Sequence, residues 1–226
     1  MCYARSVVIR NLILDWSGTL VDDLAPVLKT TNHVLTTCGL GALTLDEFRR
    51  DFCLPVREFY RHRLPDRHIR ELEQIFLAKY EDHRHEITLL PHAREFLQFC
   101  AGHGWPVFIA SSADPVTYEM QMRRFGIAAF VARPYLGIED KTEKIHHILR
   151  ENELVPGETL FVGDMEHDIQ AGKAGGVRTC AVLTGYNHSD KLRALAPDWV
   201  CADLGELRQV LAGQNGKQVH GQDSHR

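Results

Sequence analysis

Leu12, Ile13 and Leu14 run without a break into Asp15, and Gly18 and Thr19 follow within four residues. With Val7, Val8 and Ile9 just upstream, this stretch reads as a buried strand. A carboxylate at the end of a buried strand is costly unless it is paired, metal-bound or used in chemistry. In open α/β sheets the carboxyl ends of the strands are where ligands bind. The run from Asn11 to Asp22 therefore predicts both a fold class and a place to look for function.

The rest of the chain supports such a sheet. Short apolar strands are expected at Val107–Ala110, Phe130–Ala132, Thr159–Val162, Thr179–Leu183 and Trp199–Val200, the last as an edge strand. Between them lie helix signals: Pro91 before a helix ending near Gly102 or Gly104, Asp114-Pro115 as a cap, and a capped start at Asp140–Glu143. Alternating strands and helices imply a doubly wound, Rossmann-like α/β core with a parallel sheet covered on both faces. From about Asp23 to Thr88 the pattern is helical, with a capping box at Thr44–Glu47 and an apolar stripe through Ile69, Leu72, Ile75, Phe76 and Leu77. The expected organisation is a core from residues 1–22 and 89–212, an inserted all-α unit at 23–88 and a disordered polar tail at 213–226.

The 226 residues carry a net charge of −4 with both signs interspersed, which gives no electrostatic case for nucleic acid or an anionic membrane. No apolar run approaches the ~20 residues needed to span a bilayer, and Arg10 and Asn11 interrupt the first one too early for a secretory leader. The six cysteines are scattered with no C-x-x-C pair, so a reducing cytoplasm is expected, and the chain is read as a monomer or homodimer. The His83/His85 and His146/His147 pairs lack the spacing of a helical metal pair and are read as solvated helix faces.

Three more polar clusters follow strands: Ser111-Ser112, Lys141, and Gly163-Asp164 with Asp168 beyond it. On one edge of a parallel sheet, a nucleophile, hydroxyls, a cation and two carboxylates would meet. That set suits phosphoryl transfer, because an anionic nucleophile approaching an anionic phosphate needs positive charge to neutralise the encounter. Asp15 and Asp164 can offer hard oxygen ligands to Mg²⁺. Ser111 and the backbone N–H groups after Asp15 can hold phosphate oxygens, and Lys141 is preferred to Lys144 as the cation because it starts its helix.

The order of these motifs resembles the haloacid dehalogenase superfamily, in particular its phosphoglycolate phosphatase-like branch with a helical cap. The resemblance covers about residues 7–210. It implies that Asp15 is a nucleophile forming an aspartyl phosphate, with Lys141 as its catalytic partner. It also implies that Mg²⁺ is held by Asp15, the main-chain carbonyl of Ser17, Asp164 and Asp168. Phosphate would be bound by Trp16, Ser17, Ser111, Ser112 and Lys141, and the substrate would be a small phosphorylated metabolite.

One position departs from the pattern. Relatives of the phosphatase branch carry an aspartate where Ser17 stands, and use it as general acid and base, a role typically worth ~10²–10⁴-fold. A carrier elsewhere is one resolution, with His62, His68 and Asp22 as candidates. A second is kinship to phosphonoacetaldehyde hydrolase, whose D-W-A-G-T resembles Asp15-Trp16-Ser17-Gly18-Thr19; that enzyme uses a cap lysine to form an imine, and here Arg57 falls at that point of the loop Phe52–Glu58. Arginine stays protonated and forms no imine. A third is a catalytically impaired protein that binds a phosphorylated ligand. A 2-haloacid dehalogenase needs no Mg²⁺, so the acidic cluster at Asp164 and Asp168 counts against it. Arg57 is also the residue expected to reach from the cap and grip a second anionic group of the substrate.

Overall fold

The computed structural model describes residues 8–219, with side chains through Gly213. The chain enters the sheet with β1 (Asn11–Leu14) and leaves it with a short β2 (Val21–Asp22). Four helices follow: α1 (Leu24–Thr37), α2 (Leu45–Asp51), α3 (Val56–Arg63) and α4 (Ile69–Tyr80). β3 (Thr88–Leu89) then pairs antiparallel with β2, closing the base of this helical segment. Strand and helix alternate from there: α5 (Ala93–Gly102), β4 (Val107–Ala110), α6 (Pro115–Phe125), β5 (Arg133–Tyr135), α7 (Lys141–Glu151) and β6 (Thr159–Gly163). The chain finishes with α8 (Glu166–Ala174), β7 (Arg178–Val182), α9 (Ser189–Ala194), β8 (Trp199–Cys201) and α10 (Leu204–Val219).

Six parallel strands form one sheet in the order β5-β4-β1-β6-β7-β8. β1 lies between β4 and β6, where the strand order reverses, which is the crevice that α/β sheets use for ligands. Side chains alternate across this sheet as the period-two rule requires. Leu12, Leu14, Val107, Ile109, Leu160 and Val162 pack with α5, α6 and α10, whereas Ile13, Phe108 and Phe161 pack with α7 and α8. Both faces are dry, so β1 reads as a continuous apolar run rather than an alternating one.

The helices between β2 and β3 have an apolar cluster of their own, centred on Val34, Leu35, Phe48, Phe59 and Leu72. Met165 and Tyr186 reach into it from the sheet side. α2 starts with the expected capping box: Glu47 N–H donates to Thr44 Oγ1 at 3.2 Å and Thr44 N–H donates to Glu47 Oε2 at 2.8 Å. No helix among the described residues is long and apolar enough to cross a membrane.

Three expectations need correction, and two short strands are additional. The strand placed at Phe130–Ala132 is a 3₁₀ turn ending at Phe130, and β5 begins three residues later, at Arg133. Polar Arg133 and Pro134 concealed it, since an edge strand need not be apolar. The loop expected across Phe52–Glu58 gives way to α3 at Val56. β2 and β3, two residues each, are too short to leave a periodic signal. The tail expected from Gly213 is helical to Val219, as the end of α10, and residues 220–226 lie outside the described part.

Candidate active site

The backbone after β1 turns sharply and stays pinned. Asp15 N–H donates to Val162 O at 2.9 Å, and the Leu20 and Val21 N–H groups both donate to Trp16 O, at 2.9 and 3.0 Å. Gly18 is the residue that permits this turn. Its φ is +75°, and a Cβ there would lie 2.5 Å from Asp164 Oδ2. Gly185 approaches Asp164 from the other side, where a Cβ would fall 1.9 Å from the same oxygen. The carboxylate of Asp164 is therefore held in a slot whose walls are glycine backbone.

Lys141, the first residue of α7, is 3% exposed and donates from Nζ to Asp15 Oδ1 and to Asp168 Oδ1, both at 2.7 Å. Burial opposes a charge on Lys141, yet the two carboxylates outweigh it and hold the amine above the ordinary lysine range. The other oxygen of Asp168 accepts from Met165 N–H at 3.0 Å. Asp164 accepts from Thr19 Oγ1 and from Tyr186 N–H, both at 2.8 Å. Burial pushes Asp15 up to about 6 against the pull of Lys141, with Asp168 adding to the rise. Asp164 is raised well above a usual carboxylate by burial and then by Asp15 and Asp168.

Lys141 thus pairs with two of three clustered, buried carboxylates, and among the described residues no ion pair reaches the third, Asp164. Asp15, Asp164 and Asp168 each offer an oxygen, all within 4.8 Å of one another. A hard dication fits this donor set and charge. Among the described residues it is the one His, Cys, Asp or Glu group so arranged.

Above Asp15 opens a cavity of about 350 Å³. Ser17, Ser111 and Ser112 line it, as expected for groups that would meet a phosphate. Ser111 is buried after β4, its Oγ accepting from Ala113 N–H at 3.1 Å. Trp16 also lines the cavity, but its indole is turned into the core and donates to Gln121 Oε1 at 2.6 Å, which leaves its backbone for any anion contact.

Arg57 is a correction. It does not line this cavity; its side chain is 65% exposed and its Nε stands 3.8 Å from Glu58. As the second residue of α3 it faces outward rather than reaching from the cap to the substrate as expected. The guanidinium at the cavity is Arg84, which donates from Nη1 to both oxygens of Glu81 at 2.7 and 2.9 Å. Its place in the His83–His85 run made it look like part of a solvated face. None of His62, His68 and Asp22 lines the cavity, and Asp22 is exposed on β2.

Asp23, which the sequence reading passed over for its neighbour, does line it. Asp23 occupies the N-cap position of α1 yet makes no capping bond. Its buried carboxylate instead accepts from Tyr186 Oη at 2.9 Å and pairs with the hydroxyl of Ser17. Burial lifts it to about 6 against both hydrogen bonds. Asp23 falls between the end of β2 and the first residue of α1, so neither strand nor helix periodicity marks which way its carboxylate points.

Known proteins carry the same architecture. The family model of haloacid dehalogenase-like hydrolases matches residues 12–182. A 5'-nucleotidase of Pseudomonas aeruginosa is 26% identical, over 89% of this chain and 95% of its own. A phosphoglycolate phosphatase of Haemophilus influenzae is 24% identical, over 87% and 96%. Among solved structures, a haloacid dehalogenase-like hydrolase of Streptococcus pneumoniae superposes with a TM-score of 0.78 at 21% identity, covering 89% of this chain and 98% of that one. The motif order along β1, β4, α7 and β6, together with a family match across most of the sheet, establishes that the chain belongs to the haloacid dehalogenase-like hydrolases.

Proposed function

We propose that this hydrolase is a Mg²⁺-dependent phosphatase of small phosphorylated molecules that works through an aspartyl phosphate on Asp15. The observation that carries this is the ion triad Asp15–Lys141–Asp168 with Asp164 beside it, buried at the floor of an open cavity. Relatives named as a phosphoglycolate phosphatase and a 5'-nucleotidase support a phosphomonoester substrate. The helical segment 23–88 is read as a cap over the site, and the protein as cytoplasmic.

In this reading Ser111, Ser112 and the N–H groups after Asp15 donate hydrogen bonds to the phosphoryl oxygens. Lys141 keeps Asp15 ionised and oriented, and offsets charge as the carboxylate approaches phosphorus. Asp15 Oδ forms the bond to phosphorus while the ester oxygen leaves with its electron pair and takes up a proton. Water then attacks the acyl phosphate, releasing inorganic phosphate and restoring the carboxylate. Mg²⁺ held by Asp15, the Ser17 carbonyl, Asp164 and Asp168 would supply Lewis-acid neutralisation of phosphate charge.

The imine route of phosphonoacetaldehyde hydrolase finds no support. Among the described residues no lysine lines the cavity; Lys29 pairs with Glu86 at 2.6 Å and Lys79 with Asp82 at 2.8 Å. The test is phosphate release from a panel of phosphomonoesters with Mg²⁺, alongside Asp15→Asn. Turnover that falls at least about 10⁴-fold in the variant is the expected result. A binding protein without catalysis would release no phosphate and would show no beryllofluoride adduct on Asp15.

A further inference from the structure

The wall of the cavity is of a different kind from its floor. Val27, Phe52, Leu54, Val56, Phe76 and Leu77 all come from the helical segment and line the space above Asp15. A second hollow, of about 330 Å³, adjoins the first and shares five of those six side chains, all but Leu54. Leu77 is 63% exposed at this rim, and Val56 is exposed as well. Carbon surface of this extent, open to water beside a polar site, marks a place where apolar ligand surface is buried.

The charges around the cavity point the same way. Asp15, Asp23, Glu81 and Asp114 bring carboxyls to its lining, and Arg84 is the one lining cation among the described residues. Both oxygens of Glu81 already hold its guanidinium. A substrate with a second anionic group would meet carboxylates with no free cation to receive it. A neutral apolar group would meet Phe76, Leu77 and Phe52.

We infer that the substrates this site is built for are aryl monophosphates, the esters of phenols, uncharged beyond the phosphate, with the ring held by Val27, Phe52, Val56, Phe76 and Leu77. The inference rests on the phosphatase reading above. Ser17 supports it independently. With serine in place of the family's acid, no carboxyl at that position protonates the departing oxygen. A phenol has a pKa of about 10, against 15.7 for water, so a phenolate departs with far less help than an alkoxide. Asp15 Oδ bonds to phosphorus as the P–O(aryl) bond breaks, the phenolate keeps the electron pair and takes its proton from water, and a second water hydrolyses the aspartyl phosphate.

The experiment compares kcat and KM for four esters with Mg²⁺: 1-naphthyl phosphate, cyclohexylmethyl phosphate, methyl phosphate and phosphoglycolate. The expected order of kcat/KM is naphthyl, then cyclohexylmethyl, then the two small esters, with about tenfold or more between naphthyl and methyl. The naphthyl and cyclohexylmethyl esters should differ mainly in kcat, because they fill the same walls and differ in leaving group. Leu77→Glu, at an exposed position where folding is not at stake, should lower the naphthyl-to-methyl ratio about tenfold through KM. Preference for phosphoglycolate or methyl phosphate, or a ratio unmoved by Leu77→Glu, overturns the substrate class while leaving the phosphatase intact. Equal kcat for naphthyl and cyclohexylmethyl esters overturns the aromatic requirement. Release of phosphate from none of the four overturns the phosphatase reading, and this inference with it.

Discussion

On the sheet side of the cavity the charged groups are buried and bonded: Lys141 to two carboxylates, Asp164 to a hydroxyl and a backbone amide, Asp168 to a second amide. On the helical side the lining is mostly carbon, partly open to water, and the one guanidinium there among the described residues is spent on a neighbouring glutamate. The difference is one of tolerance. A buried ionic network loses several kcal/mol when one member is removed, because its partners stay buried without compensation. An apolar wall changes affinity by smaller steps and can be reshaped one residue at a time. Chemistry that must stay constant belongs on the first surface, and selectivity belongs on the second.

The sharpest way to break this contrast is Lys141→Ala. It leaves Asp15, Asp164 and Asp168 with no cation, and unfolding in urea should report a loss of about 3–5 kcal/mol in metal-free buffer. Mg²⁺ at a hundred times its dissociation constant should return about 2.7 kcal/mol of this. That recovery should vanish when Asp164→Asn is added. Stability within 0.5 kcal/mol of the parent, with or without Mg²⁺, would mean that the floor is not an ionic network under strain but a solvated cluster.

Asp23 tests the border between the two surfaces. Its folded pKa of about 6 is above the value of 3.8 for a free aspartate. The stability it contributes is therefore full below about pH 4 and lost as pH rises through 6. Asp23→Asn keeps an oxygen to accept from Tyr186 Oη and removes the charge. The variant should be more stable than the parent at pH 8, by about 3 kcal/mol at most, and equal to it near pH 4. A stability difference that stays flat from pH 4 to pH 8 would place the carboxylate in contact with water.

The floor was legible in the sequence and the wall was not, for physical reasons. Asp15, Ser111, Lys141 and Asp164 each sit next to a strand or helix start with strong local signals, and a parallel sheet brings such ends to one edge whatever the rest of the chain does. Asp168 came from the polar run Gly163–Asp168 after its strand and from the family resemblance, and its Oδ2 accepts from Met165 N–H at the start of α8. The wall depends on how α1, α3 and α4 pack against one another, and helical periodicity gives a face without giving its partner. Leu77 belonged to a stripe assigned to a helix core, and its exposure at the rim shows only in three dimensions. Asp23 was missed because it lies between β2 and α1, where no periodicity applies; in the structure it makes no capping bond and accepts from Tyr186 Oη.

Arg57 yields the smallest expected effect and tests the reading of the wall most directly. A cationic gate over the site would make Arg57→Ala lower kcat/KM for phosphoglycolate while sparing neutral esters. The side chain instead lies on the outer side of α3 beside Glu58, largely in water. Exposed pairs of this kind contribute from nothing to about 1 kcal/mol. Arg57→Ala should therefore leave kcat/KM for phosphoglycolate and for naphthyl phosphate within about twofold, and stability within about 0.5 kcal/mol. A selective loss on the carboxylated ester would show that the helical segment swings far enough in solution to bring Arg57 over Asp15. The apolar wall would then be one of two faces that the same helices present to the site.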